Sequence, residues 1–300
     1  MFTAKDVMAL REMSGAGMMD CKKALTACEG DMDKAMDYLR EKSLAASAKK
    51  AARIAAEGIV SSYVTDDHKV GAIVEVNCET DFVAKTDDFK ALVNDVAKLV
   101  VEKNPADIDA LMAMDCGDGT VAEMVTRAVA KIGEKITIRR FARMESQLVD
   151  TYIHLGGKIG VIVAAKTADA EKAKPAVHDV AMHIAAARPN VLHRDEVNPA
   201  DLEKEREILR AQALNDPKPK PANIIEKMVE GRIAKYYKEV CLVEQPFIKD
   251  GDVSVQKHID AVAKEIGGSV KVVEFVRFEK GEGLEKKEDN FADEVASMVK

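Results

Sequence analysis

Hydrophobic and polar residues follow two different periods along this chain, and the change of period divides it. Up to about residue 40 the spacing is helical. Thr3-Ala4-Lys5-Asp6 has the pattern of a capping box, and Val7 and Leu10 follow as the buried side of a first helix. Ser14-Gly15-Ala16-Gly17 interrupts it, since glycine accepts left-handed backbone at little cost. Met18, Cys21, Leu25 and Cys28 then recur at helical spacing, and Gly30 ends that helix. Asp31 caps a third helix striped by Met32, Ala35, Met36 and Leu39. Three helices of this size enclose only a small core. Leu44 to Glu57 holds seven Ala with Lys49, Lys50 and Arg53. That composition predicts a connector helix with little to bury.

From Gly58 the period becomes two. The pattern predicts strands over Ile59–Thr65 and Val70–Cys78, joined by a polar turn, Asp66-Asp67-His68-Lys69. A helix with Phe89, Leu92, Val93, Val96, Leu99 and Val100 on one face comes next, and a third strand over Lys135–Met144. The order then repeats. Val70-Gly71-Ala72-Ile73-Val74 corresponds to Ile159-Gly160-Val161-Ile162-Val163, each after a polar turn, the second being Leu155 to Lys158. Val93-Asn94-Asp95-Val96-Ala97 corresponds to Val177-His178-Asp179-Val180-Ala181. Strand Ile136 to Phe141 corresponds to Val272 to Phe278. The second copy is interrupted from Asn198-Pro199 to about Lys238 by two charged helices around Pro217-Lys218-Pro219-Lys220-Pro221. This reads as an antiparallel helical hairpin, striped by Ile225, Met228, Val229, Ile233 and Tyr236, that serves interaction rather than the core. A short helix with Phe291, Val295 and Met298 is expected at the end.

The expected class is therefore α+β. Its parts are a three-helix module with connector over 1–55, a first core subdomain over 56–144, and a second over 145–280. The hairpin interrupts the second at about 195–238, and 281–300 forms a C-terminal module. Composition agrees with a globular chain, with 47% hydrophobic and 32% charged residues. With 5 Tyr, 8 Phe and no Trp, base-stacking platforms are scarce. The net charge of −7 gives no overall basic field for a phosphate backbone, so no direct nucleic-acid partner is expected. No apolar run approaches the ~18 residues of a membrane span. The start lacks a signal-peptide pattern, and the 5 Cys form no CxxC pair. The expected compartment is the cytoplasm.

Catalytic signatures are missing. There is no phosphate-cradling GxxxxGK[ST] loop, no HExxH, no EF-hand loop and no GxSxG. Gly117-Asp118-Gly119 and Gly281-Glu282-Gly283 are too short for a dinucleotide fingerprint. His178 and His183 are five apart, about 140° around a helix, and do not suit one metal. Cys21 and Cys28 share a face with Met18 and Leu25, which is core packing. Asn77-Cys78-Glu79-Thr80-Asp81-Phe82-Val83-Ala84-Lys85 is different, since it places a Phe among polar residues where a strand meets a helix. From the residues alone, Thr80 or Asp81 caps a turn and Phe82 tucks under it, or Phe82 serves a partner.

At this loop the chain resembles the elongation factor Ts family, the bacterial guanine-nucleotide exchange factors of elongation factor Tu. Ser14-Gly15-Ala16-Gly17-Met18-Met19-Asp20-Cys21-Lys22-Lys23-Ala24-Leu25 and Glu75 to Ala84 are similar to two family signatures. Lys131-Ile132-Gly133-Glu134, Glu226 to Arg232 and Gln245-Pro246-Phe247 continue the likeness in family order. The resemblance implies a ubiquitin-associated-like module, a core of two subdomains with antiparallel sheets, a protruding hairpin and a C-terminal helix. It implies that Asp81 and Phe82, flanked by Thr80 and Val83, intrude into the GTPase domain of elongation factor Tu and disturb its Mg²⁺ and phosphate site. Met18, Met19 and Ile132 match secondary contacts to that domain, and His154 a contact to the third domain. No cofactor, metal or catalytic residue of its own is implied. Two copies could also pair through the hairpin. Asp115 to Thr120 and the Pro-rich hairpin tip depart from the family pattern. A binding or scaffold protein without exchange activity is the alternative, and it would not depend on Asp81 and Phe82.

Overall fold

Thr3 and Asp6 form the capping box that the sequence predicts: Asp6 accepts the Thr3 amide at 2.6 Å, and Thr3 Oγ1 accepts the Asp6 amide at 3.4 Å. The computed structural model describes residues 2–215 and 221–285. The predicted C-terminal helix and most of the Pro-rich tip lie outside the described residues. Helices α1 (Ala4–Ser14), α2 (Met18–Ala27) and α3 (Met32–Lys50) enclose a small core of Val7, Leu10, Cys21, Ala24, Leu25, Ala35 and Leu39. The connector differs from expectation. Its Ala-rich start continues α3 without a break, and the helix ends at Lys50. Beyond that point Lys135 Nζ takes the Arg53 carbonyl at 2.9 Å and Arg53 pairs with Glu79, so tertiary partners replace the next helical turn.

The first sheet unit comprises β1 (Glu57–Val64), β2 (Val70–Cys78), α4 (Asp81–Ala84), α5 (Asp87–Lys103), α6 (Ile108–Ala113), α7 (Val121–Ile132) and β3 (Thr137–Glu145). The second comprises β4 (Leu148–His154), β5 (Ile159–Thr167), α8 (Ala170–Ala187), α9 (Pro199–Leu214), α10 (Ala222–Val240), β6 (Pro246–Phe247), β7 (Asp250–Ser254), α11 (Val255–Glu265) and β8 (Val270–Glu279). Both main sheets are antiparallel, with orders β1-β2-β3 and β4-β5-β8. The class is α+β, as the period change indicated. Arg40 of α3 pairs with Glu123 of α7 and ties the N-terminal helices to the first unit.

Strand alternation decides the layering. Ala72, Val74, Val76 and Cys78 of β2 face α5 and α7, while Val161, Val163 and Ala165 of β5 face α8 and α11. The opposite faces meet each other through Val60, Ile73, Met144, Val149, Ile162, Ala164 and Phe278. Two sheets thus lie face to face with helices outside each.

The two units are related by a pseudo-two-fold, visible in backbone hydrogen bonds. Val149 donates to the carbonyl of His68 at 2.7 Å, and Val60 donates to the carbonyl of Gly157 at 2.8 Å. Each donor pair and each acceptor pair is separated by the same 89 positions that relate Val70 to Ile159. Ser62 and Thr151, separated likewise, hydrogen-bond to each other at 3.0 Å. A β-bulge falls between Glu75 and Val76 in one copy and between Ala164 and Ala165 in the other, the matching place. The register refines the third-strand correspondence: Phe141 occupies the position of Phe275, since Val74 and Val163 are their partners.

One charge is buried at the inner face. Glu75 accepts from Arg139, from Arg140 Nε at 2.6 Å, from Asn77 and from the amide of Gly281 at 2.8 Å. Burial pushes its carboxyl up, but the Gly281 amide, Arg140 and Asn77 outweigh that and hold it below the usual range. The carboxylate thereby fixes the chain just after β8 against the first sheet.

Helices α9 and α10 pack on each other through Leu209, Ala213, Ile225, Val229 and Ile233. Their base is held by Gln245, the first residue of the Gln-Pro-Phe motif. Its Nε2 donates to the carbonyls of Glu239 at 2.6 Å and Ala187 at 3.4 Å, and its Oε1 lies 2.9 Å from His183 Nε2. No helix among the described residues is long and apolar enough to cross a membrane.

Candidate functional site

The loop after β2 is built by two carboxylates that cap each other's backbone. Glu134, just past the end of α7, accepts the amides of Glu79 and Thr80 at 3.1 and 3.0 Å and the Thr80 hydroxyl at 2.6 Å. Glu79 in return accepts the amide of Lys135 at 2.6 Å. Two stretches more than 50 residues apart are thus clasped at their turns. Thr80 also starts α4, its Oγ1 accepting the Val83 amide at 3.3 Å, and Thr86 caps α5 immediately afterwards. Thr80 and Thr86 thus cap two successive helices, and Glu134 holds the chain ahead of the first.

This scaffold holds Phe82 outward. Phe82 is 78% exposed, the most of any large hydrophobic residue among the described residues. Phe82 does not tuck under its turn. Instead Ala84 is buried and Val83 packs partly against the first core. Asp81 pairs with Lys85 at 2.6 Å, and that hydrogen bond holds its carboxyl below the usual range. The site presents one aromatic ring beside one carboxylate on a short rigid turn.

Nucleophilic chemistry is not supported at this turn. Cys78 is buried, and burial together with Glu134 pushes its thiol up to about 12, so thiolate is negligible at neutral pH. Among the described residues no group of three His, Cys, Asp or Glu could hold a metal ion.

Residues 79–282, beginning inside this loop, match a family profile described as Elongation factor TS. Elongation factor Ts of Clostridium perfringens (strain SM101 / Type A) is 54% identical, with 99% of each chain covered. That of Clostridium botulinum (strain Eklund 17B / Type B) is 51% identical, covering 100% of this chain and 99% of the relative. The Clostridium tetani protein is 50% identical over the whole of both chains. The chain belongs to the elongation factor Ts family. Its role is therefore that of a translation elongation factor.

The remaining candidates of this elongation factor Ts chain lie on separate elements. Met18 and Met19 open α2 and are 41% and 61% exposed. Ile132 ends α7, partly buried against the first core and two residues from the Glu134 clasp. His154 ends β4, where Tyr152 Oη lies 3.0 Å from its Nδ1. Only Ile132 belongs to an element that also supports the Thr80 loop. Sequence reading gave Glu79, Glu134 and Lys135 no role. Glu134 closes the Lys131-Ile132-Gly133-Glu134 motif, but nothing local marks a carboxylate whose targets lie so far away in sequence.

Proposed function

We propose that this chain promotes guanine-nucleotide exchange on elongation factor Tu in the cytoplasm, without covalent chemistry of its own. Asp81 and Phe82 enter the GTPase domain, Thr80 and Val83 hold them in place, and Met18, Met19, Ile132 and His154 make secondary contacts. The observation that carries this reading is Phe82, 78% exposed, yet on a turn clamped by Glu134.

The physical logic is linkage. GDP is retained by backbone amides around its phosphates and by Mg²⁺, which demands near-ideal octahedral geometry. A factor that binds the nucleotide-free conformation better than the GDP-bound one weakens GDP by the same ratio. Phe82 suits a wedge because it brings large apolar area with only two rotatable bonds. The turn restrains its backbone before contact, so less ordering entropy remains to be lost on binding. Asp81 adds a negative charge where a bound cation and phosphates must be kept in register.

The test is release of a fluorescent GDP from elongation factor Tu by the wild-type chain and by Phe82→Ala at saturating concentrations. The expected result is strong acceleration by wild type and little by the variant, with equal melting temperatures. Equal acceleration by both refutes the wedge. No acceleration by wild type, with the two proteins still co-eluting, leaves a scaffold without exchange activity.

A further inference from the structure

After Phe82, the most exposed large apolar side chain among the described residues is Leu155, at 67%. It lies in the β4–β5 turn with φ +49°, the left-handed region that a bulky side chain rarely adopts. Strain of this kind persists only when the surroundings impose it. Here they do: His154 accepts the amides of Gly157 and Lys158 at 3.2 and 3.1 Å, and Gly157 in turn accepts the amide of Val60 at 2.8 Å. Gly157 itself must lack a side chain, since a Cβ there would stand 2.8 Å from Ile59. Position 155 carries no such requirement for leucine. The fold gains nothing visible from the side chain, which costs backbone strain and leaves apolar surface in water. In the matching turn of the first copy the equivalent residue, Asp66, is polar and keeps negative φ, the left-handed residue there being His68.

We infer that Leu155 is a second apolar anchor for elongation factor Tu, inserting into an apolar recess on that partner. This rests on the function proposed above. Its turn packs on Ile59 and Val60, which pair with Val76 and Glu75 on β2, close to the strand end that carries Phe82. The two most exposed apolar residues thus stand on different sheet units whose relative placement is fixed by the Val60 and Val149 hydrogen bonds. Two anchors on a rigid frame bind one partner more tightly than either alone, because the second contact is intramolecular. His154, its ring held by Tyr152, adjoins Leu155 as a polar rim.

The experiment compares full-length wild type, Leu155→Gly, Leu155→Asn and Phe82→Ala for affinity to nucleotide-free elongation factor Tu, for GDP release and for melting temperature. Gly and Asn both accept left-handed backbone, so neither variant should melt below wild type. The inference expects both to bind roughly fivefold to tenfold more weakly, as for truncation of an interface anchor. Wild-type affinity in both variants, with Phe82→Ala still impaired in exchange, overturns the inference and leaves the proposed function standing. A lower melting temperature in both variants would show that Leu155 serves the fold, and also overturns it. Failure of wild type to bind at all removes the proposed function and this inference together.

Discussion

Gly160 faces Val60 across the two sheets so closely that a Cβ on it would stand 2.3 Å from Val60 Cγ1. The counterpart is Gly71, whose Cβ would stand 2.9 Å from Cγ1 of Val149. The pseudo-two-fold therefore places a strand glycine against a valine twice, and the sheets approach because both lack a side chain. Gly160→Ala should destabilise the chain by roughly 1–3 kcal/mol through overpacking, and Gly71→Ala by less. Urea unfolding of the two variants checks the order, and a larger cost at Gly71 would contradict this account of the interface.

Glu75 should behave as a buried charge with committed partners. Glu75→Gln leaves Arg139 and Arg140 without their carboxylate and should cost about 2–3 kcal/mol, somewhat below a fully buried pair because both guanidinium groups are partly exposed. The pH dependence has a defined sign. The carboxyl is held below its usual value of 4.5, so its stabilisation is present above that pH and fades as acid protonates it. Denaturation midpoints followed downward from pH 5 should fall less steeply in the Gln variant than in wild type.

Glu134→Ala releases the amides of Glu79 and Thr80 but leaves Phe82 itself intact. If clamping matters, GDP release should slow roughly fivefold, about 1 kcal/mol of the coupling between factor and nucleotide. Thermal stability should fall by only ~1 kcal/mol, since these are partly exposed hydrogen bonds. Unchanged exchange in this variant would mean that Phe82 works without a preset backbone.

His183 makes the packing at the hairpin base sensitive to acid. Its Nδ1 accepts the amide of Ile248 at 3.2 Å while Nε2 meets Gln245, an arrangement that needs the neutral ring. Burial holds its pKa below 6.5, with Gln245 opposing the shift. The unfolded chain thus takes up the proton first, and stability falls as pH drops below about 6.5. His183→Gln should flatten the stability profile between pH 5 and 7, as measured by melting temperature against pH.

Much of the fold was legible because its elements carry complete local signals. The Thr3–Asp6 box, the Gly15 stop, the Val70–Cys78 strand and the two hairpin helices each declare themselves within one window. Where the connector helix ends is not legible locally, because Arg53 and Lys135, far apart in sequence, settle where α3 gives way to β1. The Gly117–Gly119 region hid α6 and α7, whose short periodic runs are separated by turns. The candidate site was visible as an odd Phe in a polar loop and acquired a role only by resemblance. Exposure of Phe82 could not be read locally, since a capped turn with its Phe folded inward has the same sequence.

Periodicity and motifs, carried by neighbours along the chain, settle most of the helical and strand segments, the duplication and the family, while the end of α3 and helices α6 and α7 escape them. Tertiary structure decided how the copies face each other, with Val60 and Val149 giving their amides to Gly157 and His68. It decided that Glu134 holds the loop and that Phe82 and Leu155 point to water. Those outcomes depend on contacts between residues distant in sequence, where strand register and packing rather than local preference select the partner.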